Sequence, residues 1–388
     1  MAEKRLRIFK LGIAAIFLTI FSVLLVLLNR PVEGKAATSA SQLIFAKAHV
    51  TQIVNENASP DTWTEGRRLG TQEVCVQLDS GAFRGEEMPV VNYLNAYSNI
   101  DLKEGTHVIV RLDYDDQGNP YVASIPNYNR GIVLMGLAVI FVTLLIVFGG
   151  KKGAASVAGL LFTMICIWFF LIPLLMRGAP AILSTVALVA VTTAVSMLLL
   201  NGFTYKTLCA TLGCIGGVAI AGVVAAIAGA LTPINGFNMD EAEELILRAG
   251  DDGLKISGLL VSGIILSSLG AVMDIAMGIT SAVFELHSMN PRADRRMLFQ
   301  SGINIGRDTM GTMANTLILA FAGASLNMLI LFRVFEYPFL QILNSDMMAI
   351  EVIQGMAGSI GIVLTVPLVA MLSAAMCTKE QKGKALQR

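Results

Sequence analysis

The stretch GIVLMGLAVIFVTLLIVFG, residues 131–149, decides the fold class. It carries no charge over a length that crosses a hydrocarbon core of about 30 Å as a helix rising about 1.5 Å per residue. Working outward, similar apolar runs recur at 154–175, 181–200, 208–231, 256–277, 310–332 and 352–376. Upstream, Leu11 to Leu28 is a further uncharged run, preceded by Lys4, Arg5, Arg7 and Lys10. Its length exceeds the usual signal-peptide core of about 7–15 residues, which favours an uncleaved signal anchor. The small residues Ala36, Ala37 and Ala40 keep a cleaved leader as the alternative.

The expected architecture is an all-α polytopic bundle of about eight transmembrane helices with a small extracytoplasmic all-β, barrel-like domain. The boundaries expected are a cytoplasmic N-terminus at 1–10, an anchor at 11–28, the β domain at 36–128, seven helices within 131–376 and a basic tail at 377–388. Only 14% of the 388 residues are charged, against about 25% in soluble domains. The bilayer is therefore the first partner. Zero formal net charge gives no basic field to suggest nucleic acid.

Lysine and arginine set the orientation. With the N-terminus inside, Lys4, Arg5, Arg7, Lys10, Lys151, Lys152, Lys206, Arg292, Arg295, Arg296, Lys379, Lys382, Lys384 and Arg388 are cytoplasmic, whereas Arg177, Arg248, Lys255 and Arg333 lie outside. This asymmetry follows the positive-inside rule. Both termini are expected in the cytoplasm and the β domain outside.

The β domain shows strand patterning at Ala46–Val54, Glu73–Leu78, His107–Tyr114 and Tyr121–Ile125, with Asp115–Asn119 as a turn and Asn57–Gly70 as a loop. An OB-like or SH3-like barrel fits these short strands. Cys75 is the only cysteine there, so an intradomain disulfide is excluded. Between the fifth and sixth spans, Asn238 is positioned to cap a short helix with Asp240, Glu241, Glu243 and Glu244 in its first turns and Gly250 as its stop. That helix reads either as a cation-attracting vestibule or as a surface helix burying Leu245 and Ile246.

Two helical stripes carry the chemistry that matters. Ser267, Gly270, Asp274, Gly278, Ser281 and Glu285 follow steps of three or four, as do Gln300, Asn304, Asp308, Gly311 and Asn315, with Arg307 one position aside. The stripes are expected to face a common interior. Between them Asn290 is read as a cap and Pro291 as a first helical residue, and the hairpin brings Asp274 and Arg307 to similar depth as an ion pair. Charged groups inside a membrane are costly and mark functional sites by default. Asp274, Asn304, Arg307, Asp308 and Asn315 are thus the candidate intramembrane polar site. The structural alternative is a salt bridge near the inner interface that pins the hairpin, with Glu285, Arg292, Arg295 and Arg296 projecting into the cytoplasm.

Glycines supply a second signal. Gly213 and Gly217 have the spacing of close helix contact, while Gly358 and Gly361 ahead of Pro367 read either as packing or as a hinge. No HExxH, GxSxG, Walker A or CxxC motif is present, and His49, His107 and His287 lie in separate regions. No enzyme activity, metal or cofactor is expected.

An anchor, a strand-rich domain ending at Asn127-Tyr128-Asn129-Arg130-Gly131, and the segments Gly270-Ala271-Val272-Met273-Asp274-Ile275-Ala276 and Gly306-Arg307-Asp308-Thr309-Met310-Gly311-Thr312-Met313-Ala314-Asn315-Thr316-Leu317 resemble the YibE/F family of bacterial multipass membrane proteins. The resemblance spans nearly the whole chain. It implies a bacterial plasma-membrane location and puts the family's polar centre on the stripe residues, without an established activity. The leading expectation is a transporter or permease of a small solute or ion; the alternative is a membrane scaffold or sensor whose outer domain binds an envelope partner or ligand.

Overall fold

The computed structural model describes residues 19, 21–29, 44–64, 66–96, 98–114, 120–239, 242–249 and 254–386. The expected 1–10 segment, most of the 11–28 anchor, the Asp115–Asn119 turn, Asp240, Glu241 and Gly250 lie outside these residues. The chain divides into two compact units, Pro31–Leu144 and the remainder.

The first unit holds one antiparallel sheet of β1 (Ile44–Pro60), β2 (Arg68–Leu78), β3 (Glu87–Leu94), β4 (His107–Tyr114) and β5 (Pro120–Tyr128), ordered β3-β2-β1-β4-β5. Edge strands β3 and β5 approach one another without pairing, so the sheet curls into a half-barrel with OB-like strand order. Alternation drives the curling around one core: Ala46, Ala48 and Val50, Val74, Val76 and Leu78, then Val108, Val110 and Leu112 all point inward and are fully or almost fully buried. Register shifts in β1 between Val50 and Gln52 and between Ile53 and Asn55 bend that strand across the barrel.

Two expectations change here. The stretch read as a loop at Asn57–Gly70 is mostly the end of a hairpin, with Asn57 opposite Thr71 and Pro60 opposite Arg68. Its residues are polar on both faces, so alternation could not reveal it. Strand β3 was not anticipated, because Pro89 argues against a strand; it is tolerated since β3 is an edge pairing only with β2.

The second unit is helical. Helix α1 (Gly131–Cys166), begun in the first unit, continues through a π turn (Ile167–Leu171) into α2 (Ile172–Met176). There follow α3 (Ala181–Asn201), α4 (Tyr205–Leu231), α5 (Ala242–Ala249), α6 (Leu259–Met289), α7 (Arg295–Ala324), α8 (Leu326–Val334), α9 (Phe339–Leu343) and α10 (Asp346–Leu386). Gly150 alone in α1 is non-helical, at φ 54° and ψ −133°, a conformation that glycine adopts without Cβ strain. Among the described residues five helical stretches have the length and apolarity to cross a membrane, and a sixth span is formed if the pair α7 and α8, bent by 55°, counts as one. This count falls short of eight for two reasons: most of the anchor lies outside the described residues, and Gly131–Met176 is counted once although the runs at 131–149 and 154–175 are two helices meeting at the Gly150 kink. The described end of the anchor region packs within this unit: Phe21 meets Phe162, and Asn29 donates to Phe169 O at 2.8 Å.

The α6–α7 turn also differs from expectation. Asn290 closes α6 as its C-cap, and α7 begins four residues later, where Asp294 accepts from Met297 N. Asp294 wins because a carboxylate at this N-cap satisfies a free N–H and meets the helix dipole. Upstream, Asn235 caps the short Gly236–Asn238 turn, and α5 leaves Leu245 and Ile246 exposed.

Candidate functional site

The stripe on α6 is real, and its direction is outward. From Leu259 to Glu285 the exposed residues are Ser267, Gly270, Asp274, Gly278 and Glu285, while Ile264, Ile265, Val272, Ile275, Ala276, Ile279 and Val283 are buried. On α7, Asn304, Arg307, Asp308, Gly311 and Asn315 are likewise exposed, and Leu298, Gly302 and Gly306 form the buried face. A Cβ placed on Gly270, Gly278 or Gly311 would meet nothing within 4 Å. The common interior expected for these stripes is filled instead by apolar and glycine positions: Gly302 faces Val283 and Ala370, and Gly306 faces Ile279 and Val366. Periodicity fixed which residues share a face but not which face is inward.

The expected Asp274–Arg307 pair is not made: among the described residues no ion pair involves Asp274, Arg307 or Asp308. Asp274 lies midway along α6, and Arg307 and Asp308 lie near the middle of α7. The charges therefore sit on the exterior of one chain, Asp274 near the end of the apolar run 256–277 and Arg307 and Asp308 just ahead of the run 310–332.

The glycines of α4 lie where α10 crosses. A Cβ on Gly213 would overlap Val369, and one on Gly217 would overlap Thr365 Oγ1 and approach Val272 Cγ1 to 2.9 Å. From the other side, Gly361 lies against Ala221 and Gly358 against Leu317. Pro367 sits within the continuous helix α10. Close backbone approach of this kind is how helices associate where burial from water gives no drive.

Away from the stripes, a cavity of about 620 Å³ opens beside the α7–α8 break. Its polar lining is Ser325, Asn327, Glu351 and Gln354, with Met239, Met328 and Met347 among the apolar walls. Ser325 Oγ and Glu351 Oε2 are buried without a hydrogen-bond partner among the described residues. Ser325 occupies the N-cap of α8, yet its hydroxyl makes no cap bond. Sequence reading missed both residues. The last apolar run was begun at 352, one position beyond Glu351, although a lone carboxylate at the head of a long apolar helix is itself a signal.

Comparison with sequence families adds one decisive observation: the family described as YibE/F-like protein matches residues 137–379. The chain belongs to the YibE/F family. The match includes both stripes, the glycine crossing and the cavity, and it leaves out the five-stranded sheet. Comparisons with curated proteins and with solved structures give no match.

That sheet, outside the family match, contains its own polar centre. Gln72, fully buried, donates to Glu56 Oε1 at 2.9 Å and Leu102 O at 3.1 Å, and its carbonyl accepts from Asn92 at 3.0 Å. Arg68 bridges Glu56 and Asp101. Hydrogen bonds from Gln72 and then Arg68 hold the Glu56 carboxyl below its ordinary value. A depressed carboxyl stabilises the folded state fully above its unfolded pKa of about 4.3 and loses that contribution as pH falls through the folded value. Acid unfolding of the sheet unit, followed by hydrogen exchange of its strand amides, is therefore expected to lose part of its pH dependence below about pH 4.3 in Glu56→Gln. Unchanged acid sensitivity would disprove the contribution. Among the described residues no group of three or more His, Cys, Asp or Glu side chains is placed to hold a metal ion.

Proposed function

We propose that the protein is a plasma-membrane permease for a small polar solute or ion, with Asp274, Asn304, Arg307, Asp308 and Asn315 lining a polar path. One observation carries the proposal: Asp274, Arg307 and Asp308 are exposed near mid-length on two adjacent helices, without an ion pair among the described residues and next to the apolar runs 256–277 and 310–332. A charge held against lipid is costly, about 2.5–3.5 kcal/mol at the centre of a spanning helix on insertion scales. A face that meets water removes that cost, and a water-lined face through a bilayer is a conduction path. The bent α7–α8 pair supports the same reading, since broken spans accompany solute sites in transporters.

The bias of lysine and arginine puts both termini in the cytoplasm and the barrel outside, where it serves as a lid or docking module. Trp63 is 93% exposed at the β1–β2 hairpin. In intact cells Trp63→Cys should react with a membrane-impermeant maleimide, while protection until lysis would reverse the orientation.

The proposal is tested with the purified chain in proteoliposomes. Light scattering reports osmotic swelling in small polyols, amino acids and salts, and an enclosed pH dye reports proton movement. Faster entry of at least one probe than into protein-free vesicles is expected. Rates equal to those of empty vesicles for every probe would sink the permease reading.

A further inference from the structure

We infer that the cavity beside the α7–α8 break is a binding site for an alkali-metal cation, held by Glu351 and Ser325. This site shares no lining residue with the charged stripe and stands apart from the permease reading. A buried carboxylate oxygen without a partner is unfavourable, because burial removes water without replacing its hydrogen bonds. Here two buried oxygens without a partner among the described residues, the carboxylate Oε2 of Glu351 and the hydroxyl Oγ of Ser325, belong to residues lining one cavity. Ser325 is only 8% exposed. Serine at an N-cap ordinarily accepts from the helix's own N–H groups, yet this hydroxyl does not. Its lone pairs are left for a ligand.

The donor set decides the sign and hardness of that ligand. No lysine, arginine or histidine is among the described lining residues, which disfavours an anion. The C-terminal end of α7 and the N-terminal end of α8 meet at Ser325, so their dipoles oppose one another and Glu351 sets the charge. Asn327 and Gln354 add neutral amide oxygens. One carboxylate among neutral oxygen donors balances a single positive charge, and oxygen donors suit hard ions. Divalent calcium sites typically gather several carboxylates.

Thermal unfolding of the purified full chain in nanodiscs, titrated with Na⁺ or K⁺ at constant ionic strength against N-methylglucamine, tests the site. Saturable stabilisation by at least one of the two ions is expected. Glu351→Gln should weaken the apparent affinity by at least about tenfold, as expected for losing a charged contact, and Ser325→Ala should weaken it by less. Glu104→Gln, an exposed carboxylate of the barrel, is the control and should leave the titration unchanged. If Glu351→Gln does not fold, Ser325→Ala and Gln354→Ala read the same site. The inference is overturned if neither ion stabilises the wild type, if the cavity variants titrate like it, or if Ag⁺ stabilises while Na⁺ and K⁺ do not. Cation binding without flux would leave this site standing and remove the permease. Flux indifferent to Na⁺ and K⁺, with no binding, would do the reverse.

Discussion

Asp308→Asn and Asp274→Asn are each expected to lower flux in proteoliposomes by at least about tenfold, equivalent to about 1.4 kcal/mol or more of permeation barrier, without lowering the melting temperature. The second half of this expectation gives the experiment its power. Neither carboxylate makes an ion pair among the described residues, so neutralising it breaks no bond that holds the bundle. Removing a charge from mid-helix also relieves part of the insertion cost of about 2.5–3.5 kcal/mol. A purely structural residue would show the opposite pairing, with stability falling and flux following it. Unchanged flux in a well-folded variant would remove these residues from the path.

The second large effect is steric. Gly217→Leu is expected to abolish a monodisperse, folded protein, because even a Cβ at this position overlaps Thr365 Oγ1 and crowds Val272. Inserting extra carbons into a packed contact typically costs about 1–3 kcal/mol, and here the backbones of α4 and α10 would have to separate. Gly270→Leu is the matched control. Its Cβ meets open space, so fluorescence-detected size exclusion should show a normal peak for it and an aggregated or absent one for Gly217→Leu. Equal behaviour of the two variants would show that the α4–α10 contact is not close.

These two predictions rest on parts of the molecule that were legible to different degrees. The α6 stripe was readable residue by residue, because helical spacing alone groups Ser267, Gly270, Asp274 and Gly278. Its outward aspect was not, since inside and outside depend on partners remote in sequence, such as Gly217 against Val272 and Gly306 against Ile279. Gly213 and Gly217 were visible from their spacing, whereas Gly302 and Gly306 pack as closely and escaped notice beside the polar residues between them. Glu351 was lost at a helix boundary, where hydropathy windows are least exact. In the barrel, apolar alternation found the buried strand centres. It could not find the polar end of the β1–β2 hairpin or an edge strand bearing Pro89, both of which are fixed by cross-strand hydrogen bonds.

The crossing of α10 over α4, α6 and α7 also has a bearing on biogenesis. Among the described helices α10 is the last in chain order, yet it supplies the partners of Gly213, Gly217, Gly302 and Gly306. During synthesis these glycines line an open slot for as long as α10 is still on the ribosome. The bundle therefore closes late, once α10 has been made and reaches the glycine slot left by the earlier helices.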